Sequence, residues 1–446
     1  MSAAQTRAPA PTFEVHDKTA VFPDITRAEV TLDIDVAARR ASVTGRMNIE
    51  IERANGGAPL LDVVPPAARF VVVDGDERVA LAEVRSPDGR SIMRMVDMTL
   101  DRGAHTLEFE EYTLREGLDR LTRTSLEGIS FVDGGFEFQS DQDDTKPRHF
   151  TERFFPSGFE RDSYPFKVTV NVENATAAQR PDVMTNGTKT VLSEERSFEV
   201  IFPDHYNTSS WFLHVIDANE FAFASGEYRS VDGRVVPLTA YGPRQRDVDI
   251  AIADTKFFLE ELEADYGPYP HDFFIVAVNT TRNDAEEYVG FAQTGLDADE
   301  HRPDYRGALG HELIHMWFGR SARPYEGRDG WIDESIASWR DDGYERSSRS
   351  IELDDDYRPL AYESRYRRDT PGASYGQGAE FAADLDRLFA GQGGLRPVLR
   401  AFHERYAHRS YTTEEYLAFL REVAPNPERI EALIEAKVYA SATPQH

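Results

Sequence analysis

The run His311-Glu312-Leu313-Ile314-His315 constrains this chain more than any other feature. Residues four apart lie one above the other on a helix, so both imidazoles can address a single cation. Glu312 projects close to the same face and can reach a water held there. Leu313, Ile314, Met316, Trp317 and Phe318 make the helix apolar nearly all round. Such a helix is buried, and its His and Glu side chains then need polar partners. A metal ion supplies one. Because a zinc site in an enzyme takes three protein ligands and keeps a fourth position open, a further ligand is expected elsewhere. Downstream, Trp331-Ile332-Asp333-Glu334-Ser335-Ile336-Ala337-Ser338-Trp339 reads as a second helix with an acid between apolar neighbours, and Glu334 is the expected third ligand.

With 446 residues the chain is too long for one ordinary core, and two or three domains are expected. Residues 1–12, rich in Ala, Pro and Ser, read as a disordered tail with no hydrophobic signal core. No apolar run approaches the roughly 18 residues of a membrane span. The expectations are therefore no membrane and a cytoplasmic location. Cysteine is absent, which removes disulfides, thiolate metal sites and a Cys nucleophile together. A net charge of −29 argues against nucleic acid and anionic membranes as partners. It reads as a well-solvated surface, or as a field that draws in cationic peptides.

Apolar and polar residues alternate through Val30–Val36, Met47–Glu52 and Phe166–Val172, the period of half-buried strands. Asp74-Gly75, Asp88-Gly89 and Asp133-Gly134 are turn pairs that punctuate this region. A β-rich N-terminal domain is therefore expected over 13–217. From 218 to 446 the pattern becomes strand then helix. Asp249–Asp265 has helical apolar spacing and stops before Gly267-Pro268, and Phe273–Val278 is a short apolar strand. Thr412 with Glu415 forms a capping box, and Asn426-Pro427 an N-cap followed by Pro at the first helical position. The fold class is α+β and multidomain.

The string His311 to Gly319, followed at the family's interval by Trp331-Ile332-Asp333-Glu334, resembles the M1 family of gluzincin aminopeptidases. Asp284-Ala285-Glu286-Glu287-Tyr288-Val289-Gly290-Phe291 stands where that family has its Gly-Ala-Met-Glu-Asn box. Tyr375-Gly376-Gln377-Gly378 is similar to the Tyr-x-x-Gly string of its catalytic tyrosine. Outside the site, Phe155-Pro156, Thr185-Asn186-Gly187 and Tyr266-Gly267-Pro268-Tyr269-Pro270 resemble family stretches in the same order. The resemblance implies a saddle-like N-terminal sheet domain followed by a thermolysin-like mixed α/β catalytic domain. The family's large C-terminal helical domain has no counterpart here, so a short form with a more open site is expected.

By the same resemblance the chain is a zinc-dependent metallopeptidase that removes N-terminal residues from peptides, with one Zn2+ on His311, His315 and Glu334. Glu312 is then the general base and Tyr375 the phenol that stabilises the oxyanion. Glu287 corresponds to the glutamate that grips the substrate's α-ammonium. Gln139-Ser140-Asp141 resembles a second anchoring string, with Asp141 in place of Glu. An alternative in the same class is a processing protease for one leader or precursor peptide, with internal cleavage or a partner covering the cleft. An alternative in another class is a catalytically silent peptide-binding module, which typically loses zinc ligands or the base; all are present here. Epoxide hydrolysis on the same zinc is compatible with the family, but no residue specifically favours it. Asp284, Glu286 and Tyr288 make the amine-binding box more acidic and bulkier than the family pattern. Arginyl substrates are therefore expected to be cleaved faster than leucyl ones, and a clear leucine preference in kcat/KM would sink that expectation.

Overall fold

The computed structural model describes residues 12–38, 40–61, 68–89, 92–114, 129–130, 155–158, 163–193, 196–207, 210–242, 244–278, 285–294, 302–325, 327–341, 343, 360–361, 366, 370 and 372–439. Two compact units make up the chain, Met1–Ala218 and Asn219–His446.

The first unit is built of strands. The alternations read from the sequence lie in the strands Asp24–Asp35, Arg40–Ile51 and Phe166–Glu173, neighbours in a twelve-stranded sheet. Val30 pairs with Val168, Leu32 with Val170 and Ile34 with Val172 in parallel register, so each apolar side chain meets an apolar partner on the buried face. On the opposite face Asn171 Nδ2 donates to Asp33 Oδ1 at 2.7 Å. Asp74 and Gly75 both take positive φ, 53° and 76°, in the hairpin between Phe70–Val73 and Glu77–Arg85, a backbone twist that suits Asp-Gly. The turn pair Asp133-Gly134 lies outside the described residues.

The second unit sets seven α-helices, among the described residues, on a five-stranded mixed sheet. These are α1 (Gln245–Tyr266), α2 (Arg302–His315), α3 (Trp331–Asp341), α4 (Ala373–Leu388), α5 (Leu395–Tyr406), α6 (Thr413–Val423) and α7 (Pro427–Lys437). The capping box of α6 is present, with Glu415 N–H donating to Thr412 Oγ1 and Thr412 N–H to Glu415. Asn426 caps α7, with Pro427 in its first turn. Gly267 ends α1 at φ 90°, and its amide donates to Glu263 O. The Glu263 carboxylate is buried and accepts from Tyr228 Oη at 2.7 Å, Val231 N at 2.9 Å and Tyr269 N at 2.7 Å. It ties the first hairpin of the sheet to the turn after α1.

Regular α-helix stops at His315. Met316–Ser321 continues as a π-helical turn, which the apolar sequence does not announce. Four side chains hold it. His271 Nε2 donates to Met316 O at 3.1 Å, Trp317 Nε1 to Gly267 O at 3.2 Å and Tyr411 Oη to Phe318 O at 2.9 Å. His403 Nε2 lies 3.1 Å from Ser321 Oγ.

Burial pushes His271 down to about 3 and His403 down to about 4. Both stay neutral in the folded protein, whereas an unfolded chain with ordinary imidazoles near 6.5 takes up protons. Below about 6.5 the unfolded chain binds more protons, so this stability is present at neutral pH and is lost as pH falls toward 4 and 3. Each histidine is expected to contribute about 1.4 kcal/mol of destabilisation between pH 7.5 and 5.5. Thermal unfolding at those two pH values checks this. The acid loss should shrink in a protein carrying His271→Gln and His403→Gln, and an undiminished loss would assign it to other groups.

Candidate metal centre

His311 and His315 occupy the last turns of α2, and Glu334 the first turn of α3. The order of burial explains the placement. Trp331, Ile336, Ala337 and Trp339 are fully buried and fix α3 against the core, which turns Glu334 toward α2. Asp329 supports the start of α3, where its carboxylate accepts from Thr413 N and Thr413 Oγ1, both at 2.8 Å. The Trp331 indole donates to the same hydroxyl at 3.1 Å.

One ligand atom from each of His311, His315 and Glu334 lies within 4.8 Å of the others. Glu334 Oε2 is 3.2 Å from His311 Nε2 and 3.6 Å from His315 Nε2. Tetrahedral zinc with bonds of about 2.0–2.1 Å separates its donors by about 3.3–3.4 Å, so these atoms fit the ion. The electrostatics agree. Burial lowers the pKa of His311, but hydrogen bonds to the carboxylates of Asp341 and Glu334 more than offset it and hold the imidazole well above its ordinary value. The site therefore favours positive charge where a metal would sit.

Glu312 is 4 % exposed, directly beside these ligands in sequence. Tyr375, on the first turns of α4, lies nearly parallel to His311 with ring centroids 6.4 Å apart, and its hydroxyl donates to Glu334 Oε1 at 3.0 Å. It is 46 % exposed, which leaves the phenol accessible to a bound molecule. Gly378 makes this placement possible. A Cβ there would come within 2.8 Å of Ser335 Cβ and 3.2 Å of Ser335 Cα, so glycine lets α4 lie tightly against α3.

Glu287 belongs to the edge strand Ala285–Tyr288, which pairs antiparallel with Phe291–Thr294 through a turn at Gly290, φ 65°. Helix α2 packs against this strand. The Glu287 side chain, Asp284, Gln139 and Asp141 fall outside the described residues.

Two carboxylates near the site carry no role in the sequence reading. Asp341 Oδ2 accepts from His311 Nδ1 at 2.6 Å, and Asp333 Oδ2 lies 3.5 Å from His315 Nδ1. The signal for Asp341 is the seven-residue step from Glu334, two turns along one face of α3. Gly319 in the π-turn leaves room for Asp333, since a Cβ there would sit 2.7 Å from Asp333 Oδ2 and 3.3 Å from His315 Nδ1.

The chain has the fold of M1 zinc metallopeptidases over 95% of its length. The M1 zinc metallopeptidase of Deinococcus radiodurans superposes with a TM-score of 0.62 at 16% identity, over 95% of this chain and 96% of that one. A mutant of that enzyme bound to the substrate Tyr-Ser-Ala gives a TM-score of 0.63 at 17% identity, with the same coverage. Legionella pneumophila aminopeptidase A, in complex with aspartic acid, gives 0.66 at 14% identity, over 96% of this chain and 51% of that one. No protein-family sequence model and no curated protein sequence matches the chain.

Gly378→Ala tests the α3–α4 contact. Pushing the helices apart is expected to cost about 1–3 kcal/mol in chemical unfolding, and an unchanged unfolding midpoint would show that the contact yields without strain.

Proposed function

We propose that this chain is a zinc metallopeptidase of the aminopeptidase type, with one Zn2+ held by His311, His315 and Glu334. The observation that carries the reading is the convergence of these three ligands at separations suited to tetrahedral zinc, beside a buried Glu312. When bound, zinc supplies Lewis-acid chemistry, acidifying water to a pKa of about 7 and polarising a carbonyl. In this reading Glu312 takes the proton of the attacking water and delivers it to the leaving amine. Tyr375 turns its hydroxyl from Glu334 toward the oxyanion that develops on the scissile carbonyl.

Recognition of a free N-terminus is assigned to Glu287, whose carboxylate would hold the substrate's α-ammonium by a charge-assisted hydrogen bond. Asp141 and Gln139 are proposed as a second anchor. The substrates would be peptides, with an acidic box favouring a basic first residue. A dedicated precursor peptide, or a partner that covers the cleft, is the second reading, favoured by the departures at Asp284, Glu286 and Tyr288. No nucleic-acid or membrane partner is proposed for so acidic a chain. Among the described residues no helix is long and apolar enough to cross a membrane. The proposed setting is cytoplasmic.

The test is hydrolysis of a panel of free and N-acetylated peptides by metal-quantified protein. Cleavage confined to free N-termini is expected. Glu312→Gln should lower kcat by about 10²–10⁴ while the protein retains zinc, and Tyr375→Phe by about 10²–10³. Cleavage of N-acetylated peptides at internal bonds would replace the aminopeptidase reading with the processing protease. A zinc-free protein without activity would replace it with the silent peptide-binding module.

A further inference from the structure

We infer that Asp341 is a positioning residue for the metal: its carboxylate fixes the tautomer and orientation of His311 so that Nε2 faces the ion, and thereby sets zinc affinity. The inference rests on the zinc site proposed above. An imidazole that binds a metal through Nε2 must carry its proton on Nδ1, and a carboxylate hydrogen-bonded to that N–H holds the ring in place and makes Nε2 a better donor. Asp341 Oδ2 lies 2.6 Å from His311 Nδ1, while His311 Nε2 lies on the other side of the ring, 3.2 Å from Glu334 Oε2. The two sides of one ring are thus divided between two acids of the same helix.

Asp341 is itself held. Its second oxygen, Oδ1, is 3.5 Å from Arg340 Nη1. Arg340 is 8 % exposed, its Nη2 donates to Glu261 Oε2 of α1 at 3.3 Å, and its guanidinium lies over the Phe258 ring at 4.6 Å. Gly310, the residue before His311, admits this guanidinium: a Cβ there would meet Arg340 Cζ at 2.7 Å. The path Glu261–Arg340–Asp341–His311 therefore runs from α1 through the end of α3 to the ligand on α2. Arg340 also offsets part of the negative charge that Asp341 brings to His311.

The experiment is competition for zinc between a chromophoric chelator and the full-length protein, wild type against Asp341→Asn and Asp341→Glu. Asp341→Asn is expected to bind zinc 10–100-fold more weakly, with the thermal midpoint of the metal-free protein little changed, and Asp341→Glu to recover part of the affinity. Zinc affinity equal to wild type in Asp341→Asn overturns the inference. If the asparagine protein does not fold, the wild type carries the test through histidine ¹⁵N NMR of the zinc-loaded form. A protonated Nδ1 on His311 supports the inference and a metal-bound Nδ1 overturns it. A wild type that takes up no zinc would remove the reading of the site itself, whereas zinc bound equally by wild type and Asp341→Asn removes only this inference.

Discussion

The structure around the centre depends on one constraint: two imidazoles from α2 and a carboxylate from α3 bring their ligand atoms within 4.8 Å of one another inside a largely apolar shell. Polar groups in such a place must be paired, because leaving one without a partner costs more than most single contacts return. The chain answers with more acids. Asp341 accepts from one imidazole and Asp333 stands close to the other, so α3 supplies the expected ligand and the groups behind both histidines. This concentration of negative charge raises the affinity of His311 for a proton, and by the same field favours a divalent cation.

Close approach of the helices is a second requirement, and it is met by missing side chains. Gly310 admits Arg340, Gly319 admits Asp333 and Gly378 admits Ser335, so each glycine stands where a methyl group would separate two parts of the site. The π-turn after His315 works with them. It changes the course of the chain at the second histidine; buried His271 and Tyr411 hold its backbone, His403 meets its last hydroxyl, and its own Trp317 is tied to Gly267 O. Neutral imidazoles are usable there because burial makes their protonation unfavourable.

Local features were legible in the sequence wherever the signal lay in neighbouring residues. The alternation at Phe166–Val172, the capping box at Thr412 and Glu415, and the N-cap at Asn426 appear as read, since period and capping depend on a few adjacent positions. The strand containing Val30 begins six residues earlier, at Asp24, because its ladder with Arg40–Ile51 continues through polar residues that lack the alternation. Helix α1 likewise begins at Gln245, before the apolar spacing starts. The π-turn is not legible in the sequence, because a run of apolar residues has no periodicity from which a change of helix type could be read.

By itself the sequence determined the helical spacing of His311 and His315, the presence of Glu312 between them, the acid at Glu334, and the alternating strands of the first unit. Each of these is set by a period or by adjacent residues. Only the tertiary structure decided that Glu334 and Tyr375 meet at the histidines, that Asp341 and Arg340 back His311, and that Gly310, Gly319 and Gly378 are the places where close approach is needed. Those relations join residues tens of positions apart, and they exist because burying Trp331, Trp339 and their neighbours fixes how α2, α3 and α4 lie against one another.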